Sequence, residues 1–326
     1  MRLFHYSRPR DVAEAVTLLS AASDARVVAG GTDLVTLVRD GVRAPSHLVD
    51  IGGLPLDKAE WLPDGGVRIG ALHPNAPLDA ALRERYPLLA QALASGASPQ
   101  IRTMATFGGN LLQGVRCSYF RLPEYACNRR DPGSGCAALD GDSSHHAVLG
   151  TSSRCVAVHP SDLAVALQAL DATVRVVGRG GRRRGIPVDE LHRLPGTTPH
   201  REHTLRHGEL IEAVELPAQP GGRRSHYLKF RDRASFAFAL VSVAAVLDVR
   251  GGTVRHARVA LGGVAPKPWR SRAAERELTG RRLTGAAVTA AAEAAAAEAR
   301  PQPDNAYKVE LLRRCVRRAL TEAGGR

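Results

Sequence analysis

Apolar residues recur at helical spacing over 11–19 and then close up into Arg26-Val27-Val28-Ala29, a short buried strand. Gly30-Gly31-Thr32-Asp33 breaks that run, and Leu34–Arg39 restarts as a helix that stops at Gly41. The opening therefore reads as a βαβ-like unit. Leu48-Val49-Asp50-Ile51 and Val67-Arg68-Ile69-Gly70 are two further strands, and two helical stretches between Asn75 and Ser95 are punctuated by Pro87. Over 113–154 the periodicity disappears. That stretch is rich in Gly, Ser, Asp and Pro, which suits a loop-dominated segment in need of an internal tether.

Regular patterning returns at Ser161, a good N-cap for a helix over 162–170, followed by strands at Thr173–Val177 and Leu210–Leu216. A Pro/Gly-rich break at 217–222 marks a domain boundary. Beyond it, 226–231, 238–249 and 253–261 read as three strands of an antiparallel sheet, with Gly251-Gly252 as the hairpin turn. Helices over 272–278, 286–299 and 307–320 finish the chain, and the last puts Leu312, Cys315, Val316 and Ala319 on one stripe. The pattern predicts an α+β protein with domains at 1–218 and 222–326.

Four of the five cysteines, Cys117, Cys127, Cys136 and Cys155, fall in the aperiodic stretch, while Cys315 sits on an apolar helical stripe and reads as a core thiol. Four thiols in one segment can close two disulfides, hold zinc, or ligate an iron–sulfur cluster. Their spacing, Cys-x9-Cys-x8-Cys-x18-Cys, has neither the close pairs of zinc ribbons nor a ferredoxin run. No apolar signal segment follows Met1, so the chain is expected in the cytoplasm by its own sequence, which disfavours disulfides. Metal ligation therefore comes first. His145, His146 and His159 lie nearby, as surface or supporting residues more than as ligands.

The formal net charge of +13 brings nucleic acid to mind, but aromatics make up only 4% of the chain and offer few platforms for stacking bases. No apolar run approaches the roughly 20 residues needed to span a bilayer. Neither nucleic acid nor membrane insertion is expected; an acidic partner remains compatible with the charge.

Two glycine pairs suggest a dinucleotide. Val28-Ala29-Gly30-Gly31-Thr32-Asp33-Leu34 joins a strand to a helix, so its backbone can approach a phosphate and the helix end adds positive potential. Thr106-Phe107-Gly108-Gly109-Asn110 forms a second such loop, and Asp162 stands at a helix start. Alone, such glycine loops are a weak signal that many ordinary turns share, and Asp162 reads first as a first-turn aspartate complementing the helix dipole.

In order, these segments resemble the FAD-binding subunit of the molybdenum hydroxylases, the xanthine dehydrogenase and carbon monoxide dehydrogenase flavoprotein family. The two glycine segments look like the family's FAD loops. Pro160-Ser161-Asp162-Leu163 resembles the helix that follows them, and Leu261-Gly262-Gly263-Val264-Ala265-Pro266 and Glu277-Leu278-Thr279-Gly280 resemble the end domain. The resemblance implies a two-part FAD-binding domain of the vanillyl-alcohol-oxidase (PCMH) type, with residues 113–156 as an inserted cysteine-bearing loop. Arg116-Cys117-Ser118-Tyr119-Phe120-Arg121 and Pro132-Gly133-Ser134-Gly135-Cys136 resemble a subgroup, including periplasmic-type aldehyde oxidoreductases, that carries an extra [4Fe–4S] cluster there. Cys117, Cys127, Cys136 and Cys155 are then implied ligands. Val28, Ala29, Gly30, Gly31, Thr32, Asp33, Leu34, Thr106, Gly108, Gly109, Asn110 and Asp162 are implied FAD contacts, and Ile211 and Lys229 are implied beside the flavin. Lys229 reads nearly as well as a surface strand lysine. Implied partners are a small [2Fe–2S] subunit, a large molybdenum subunit and an external electron acceptor, and export follows only if a partner's signal carries the complex. No base–nucleophile pair stands out, so no catalytic residue is expected on this chain. A self-contained flavin oxidase and a metal-stabilised scaffold without redox duty are the rival readings.

Overall fold

A computed structural model describes residues 2–219 and 223–325. The chain begins with a small parallel sheet of β1 (His5–Ser7), β2 (Arg26–Val28) and β3 (His47–Asp50), in the order β1-β3-β2. Helices Val12–Ala21 and Leu34–Arg39 make the crossovers. Asp11 caps the first by accepting from the Glu14 N–H. That helix turns Ala15, Val16 and Leu19 inward against Val49 and Ile51. Each fully buried Val or Leu contributes about 1.5–3 kcal/mol relative to exposure.

An antiparallel sheet follows, made of β4 (Ala59–Trp61), β5 (Val67–Gly70), β6 (Thr173–Val177), β7 (Arg183–Pro187) and β8 (Leu210–Leu216) in the order β4-β5-β8-β6-β7. Its inner face receives helix Asp162–Ala169, every residue of which is buried. A helix covered on all sides must be enclosed by other layers. Here Leu163 and Leu167 share one apolar cluster with Ile69 and Val214 of this sheet and with Ala244 and Ala260 of the next. The two parts of the chain thus close over a common core.

The last sheet is antiparallel, with β9 (Arg223–Phe230), β10 (Val241–Arg250), β11 (Thr253–Gly262) and β12 (Trp269–Arg270) in the order β12-β11-β10-β9. It has four strands, not the expected three. Two residues between prolines and a helix carry no period, so β12 left no pattern in the sequence. It is held by Arg270, which pairs with Asp171 and Glu275. The β10–β11 hairpin turns at Gly251 and Gly252, both at positive φ, as a tight two-residue turn demands. Helices Arg272–Leu278, Gly285–Ala296 and Tyr307–Ala323 build the second apolar cluster, where Cys315 lies beside Leu312, Val316 and Ala319. The Pro/Gly break expected at 217–222 falls partly on 220–222, outside the described residues.

Segment 113–156 carries a single four-residue helix, Ser118–Arg121, among turns. Polar side chains tether it. The Arg130 guanidinium donates to the carbonyls of Tyr119, Phe120 and Pro123, and Asn128 Oδ1 accepts from the N–H groups of Gly133 and Gly135.

Candidate cofactor cleft and cysteine site

The first glycine pair works by contact. A Cβ on Gly30 would stand 1.7 Å from the Met104 carbonyl oxygen, so only glycine lets this turn touch the segment leading to the second pair. Gly31 follows at φ +69° and swings the chain into helix Leu34–Arg39. The second pair is not the open loop its composition suggests. It forms the short helix Phe107–Leu111, capped by Thr106 Oγ1, which accepts from the Gly109 N–H at 3.3 Å. Gly108 rests on Ala71, where an added Cβ would meet the Ala71 side chain at 3.1 Å.

Between these turns and helix Asp162–Ala169 opens a cleft of about 770 Å³, within the range of small-molecule and cofactor sites. Thr32, Asp33, Gly109, Asn110, Asp162 and Lys229 line it together, six of the residues singled out from the sequence. Val28, Ala29, Gly30, Gly31, Leu34, Thr106 and Gly108 form the frame behind that lining and are not on its surface. Ile211 is also absent from the wall. It is 3% exposed on β8 and packs in the core.

Polar contacts hold the lining. Asp33 accepts from the Gly114 N–H at 2.7 Å and pairs with Arg121 at 2.8 Å and Arg116 at 3.0 Å, so its carboxylate secures the start of the cysteine segment. Asn110 Oδ1 accepts from Ser161 Oγ at 2.6 Å, which joins the second turn to the cap of the Asp162 helix. Asp162 receives the Tyr227 hydroxyl at 2.6 Å and Lys229 Nζ at 2.7 Å. The Lys229 side chain is only 3% exposed and also donates to the Ser95 carbonyl, which corrects the surface-lysine alternative. Burial, then Asp162, holds the Tyr227 pKa well above the usual tyrosine value. Tyr227 was not singled out from sequence, although it stands two residues before Lys229 on the same face of β9. Period-two alternation alone carries that signal.

The four cysteines of segment 113–156 converge. Cys117, Cys127, Cys136 and Cys155 surround one small void walled by Val115, Phe120, Ala138 and Ala157, and all are free thiols. Cys127 and Cys136 face each other across an isolated antiparallel bridge. Cys117 borders both this void and the large cleft. Burial, and then Cys127 and Cys155, push the Cys117 thiol up to about 12, so any metal ligation must displace its proton. No group of three or more His, Cys, Asp or Glu side chains among the described residues is arranged to hold a single metal ion.

His146 is the one nearby histidine that reaches a sulfur, with Nε2 at 3.2 Å from Cys117 Sγ. Burial, then Lys308, lowers its pKa. Lys308 is itself fully buried and donates to the carbonyls of His146 and Gly263, and burial brings its pKa down to about 7. His145 is exposed at the cleft, and His159 stacks edge-on to His192 at 4.2 Å in the interior. Arg129 also lines the void and lies 3.8 Å from Cys155 Sγ. Burial opposes its charge, but Glu202 and Cys155 outweigh that and leave its pKa above the usual arginine value. In the sequence it belongs to Cys127-Asn128-Arg129-Arg130, one of the segments that resemble the cluster-bearing subgroup, with no role of its own legible there.

The FAD-binding domain of molybdopterin dehydrogenase matches residues 2–219, and the C-terminal domain of the carbon monoxide dehydrogenase flavoprotein matches 225–323. The chain belongs to the family of FAD-binding subunits of molybdenum hydroxylases. It is 46% identical to the aldehyde oxidoreductase FAD-binding subunit PaoB of Escherichia coli K12 over 99% of both chains. It is 30% identical to the carbon monoxide dehydrogenase medium chain of Hydrogenophaga pseudoflava, over 99% of this chain and 98% of that one. The solved structure of that bacterium's carbon monoxide dehydrogenase, lacking the Mo-pyranopterin moiety, superposes with a TM-score of 0.79 at 30% identity, covering 99% of this chain and 98% of that one. As a member of this family the chain is an oxidoreductase subunit with an FAD-binding domain, and the glycine-framed cleft is the cavity that suits the cofactor.

Proposed function

We propose that this chain is the FAD- and [4Fe–4S]-bearing electron-transfer subunit of a molybdenum-dependent aldehyde oxidoreductase. The observation that carries the reading is the shared wall at Cys117, which puts a dinucleotide-sized cleft and a four-cysteine void side by side. The likeness to PaoB, an aldehyde oxidoreductase subunit, supports aldehydes as the substrate class. Substrate would be oxidised on a large molybdenum subunit, with a small [2Fe–2S] subunit between it and this chain and an external acceptor beyond.

FAD, when bound, supplies exchange between two-electron and one-electron transfer, and the protein's part is to bind, orient and tune it. Thr32, Gly109 and Asn110 line the cleft at the two glycine turns, where backbone N–H groups suit a pyrophosphate. Asp162 keeps carboxylate lone pairs facing the cleft while Lys229 and Tyr227 fix its orientation. Segment 113–156 fits a cluster by its donors, since four thiols meet in an apolar pocket. A cluster has a core of its own and holds its ligands further apart than a single ion does. The cluster supplies one-electron storage, and Cys117, Cys127, Cys136 and Cys155 would hold it.

Three measurements test the proposal. Acid precipitation should release FAD into the supernatant, because no His or Cys attachment pattern of the family appears beside the two glycine turns, and the isolated chain should not turn over aldehyde without its neighbours. Flavin retained in the pellet contradicts non-covalent binding, and aldehyde turnover by the chain alone makes it a self-contained oxidase. Separately, iron and acid-labile sulfide should each approach about four per chain. Cys136→Ser should lower both and Cys315→Ser neither; zinc without sulfide in an anaerobic preparation would instead mark a scaffold.

A further inference from the structure

Charge around the cysteine void does not balance. The Arg129 side chain is 4% exposed and pairs with Glu202 at 3.3 Å, but Glu202 is also taken by Arg43 at 2.7 Å. Two guanidiniums therefore share one carboxylate. Arg129 Nε is buried without a hydrogen-bond acceptor among the described residues, and a terminal nitrogen of the same group points at Cys155 Sγ. Surplus buried charge is costly unless something anionic meets it. Four thiolates outweigh the charge of the iron–sulfur core they hold, so a loaded site is anionic, and more so once it gains an electron. The surplus faces the place where that negative charge would sit.

We propose that Arg129 sets the reduction potential of the cluster held by Cys117, Cys127, Cys136 and Cys155, with Glu202 as its counterweight. This rests on the cluster reading above. Arg129 is a positioning and tuning residue that acts through the sulfur of Cys155. A nearby positive charge favours the reduced, more negative state, and hydrogen bonds to sulfur act in the same direction. Arg129 therefore raises the potential, and Glu202, by drawing off part of its field, lowers it.

The test is a potentiometric titration followed by electron paramagnetic resonance on the full chain, with iron and sulfide assayed in each sample. Arg129→Met should lower the potential by about tenfold in the reduction equilibrium, or about 59 mV for one electron. Glu202→Gln should raise it, and Arg129→Lys should fall between wild type and Arg129→Met. Opposite signs are the signature, because loosened packing would move both variants the same way. Full iron and sulfide with unchanged potentials, or shifts of one sign in both, would overturn the proposal. If Arg129→Met loses its iron, Arg129→Lys and Glu202→Gln decide. A wild-type chain without iron and sulfide would defeat the cluster reading itself and this proposal with it.

Discussion

Gly30→Ala is expected to give a chain that retains no flavin and has lost about 3 kcal/mol of stability. The added methyl would lie 1.7 Å from the Met104 carbonyl oxygen, a backbone atom that no rotamer change can remove. Overpacking that a side chain can relieve costs about 1–3 kcal/mol, and a backbone clash belongs at or above the upper end. Relief requires the first glycine turn to move away from the segment leading to helix Phe107–Leu111, which opens the frame of the cleft. Gly31→Ala is the informative control. Its nearest neighbour is Val35 Cγ2 at 3.0 Å, a side-chain atom, and its cost comes mainly from the positive φ of 69°. That strain is about 1 kcal/mol, so part of the flavin should remain. Flavin absorbance per chain and urea midpoints would check both. Normal flavin content in Gly30→Ala would mean that the contact with Met104 does not shape the cleft. Sequence reasoning laid the demand for glycine on approach to a phosphate, whereas the geometry lays it first on approach to the end of helix Pro99–Met104.

Most of the framework was legible because its signals are periodic. Helices Leu34–Arg39 and Arg272–Leu278 and strands β5, β6 and β8 lie where the apolar pattern predicts them. What escaped is short or irregular. Two-residue β12 has no period to read, and β7 carries three consecutive basic or glycine residues and ends in proline, as an edge strand tolerates. Phe107–Leu111 looked like a loop because two of its five residues are glycine, and it is helical through the Thr106 cap and the contact of Gly108 with Ala71.

The site divides the same way. Thr32, Asp33, Gly109, Asn110, Asp162 and Lys229 meet on one cleft, but the resemblance could not say which ones face it and which only frame it. Ile211 lies off the cleft wall: beside the register shift in the β6–β8 pairing its side chain packs in the core. Arg129 and Glu202 lie 73 residues apart in sequence, and pairs at such separation leave no local pattern for a reader of one chain.

Asp162→Asn is expected to destabilise the fold by about 3–5 kcal/mol, the cost of stranding one member of a buried ion pair. Lys229 Nζ lies 2.7 Å from Asp162 Oδ2, and the two side chains are 3% and 9% exposed, so solvent screens neither. Without the carboxylate the ammonium keeps the Ser95 carbonyl at 3.0 Å but no counter-charge. Lys229→Met should cost a comparable amount, because it leaves Asp162 with only the Tyr227 hydroxyl. The double variant, Asp162→Asn with Lys229→Met, removes both charges and should cost less than either single change. Urea unfolding of the four proteins completes a double-mutant cycle, which isolates the coupling when no new contact forms. Simple additivity would show that the pair does not lock helix Asp162–Ala169 to β9. Function sharpens the test, because Asp162 lines the cleft and Lys229 orients it. If the pair holds the carboxylate in position, the double variant should recover stability without recovering flavin. If Asp162 only locks the helix, flavin returns as the fold does.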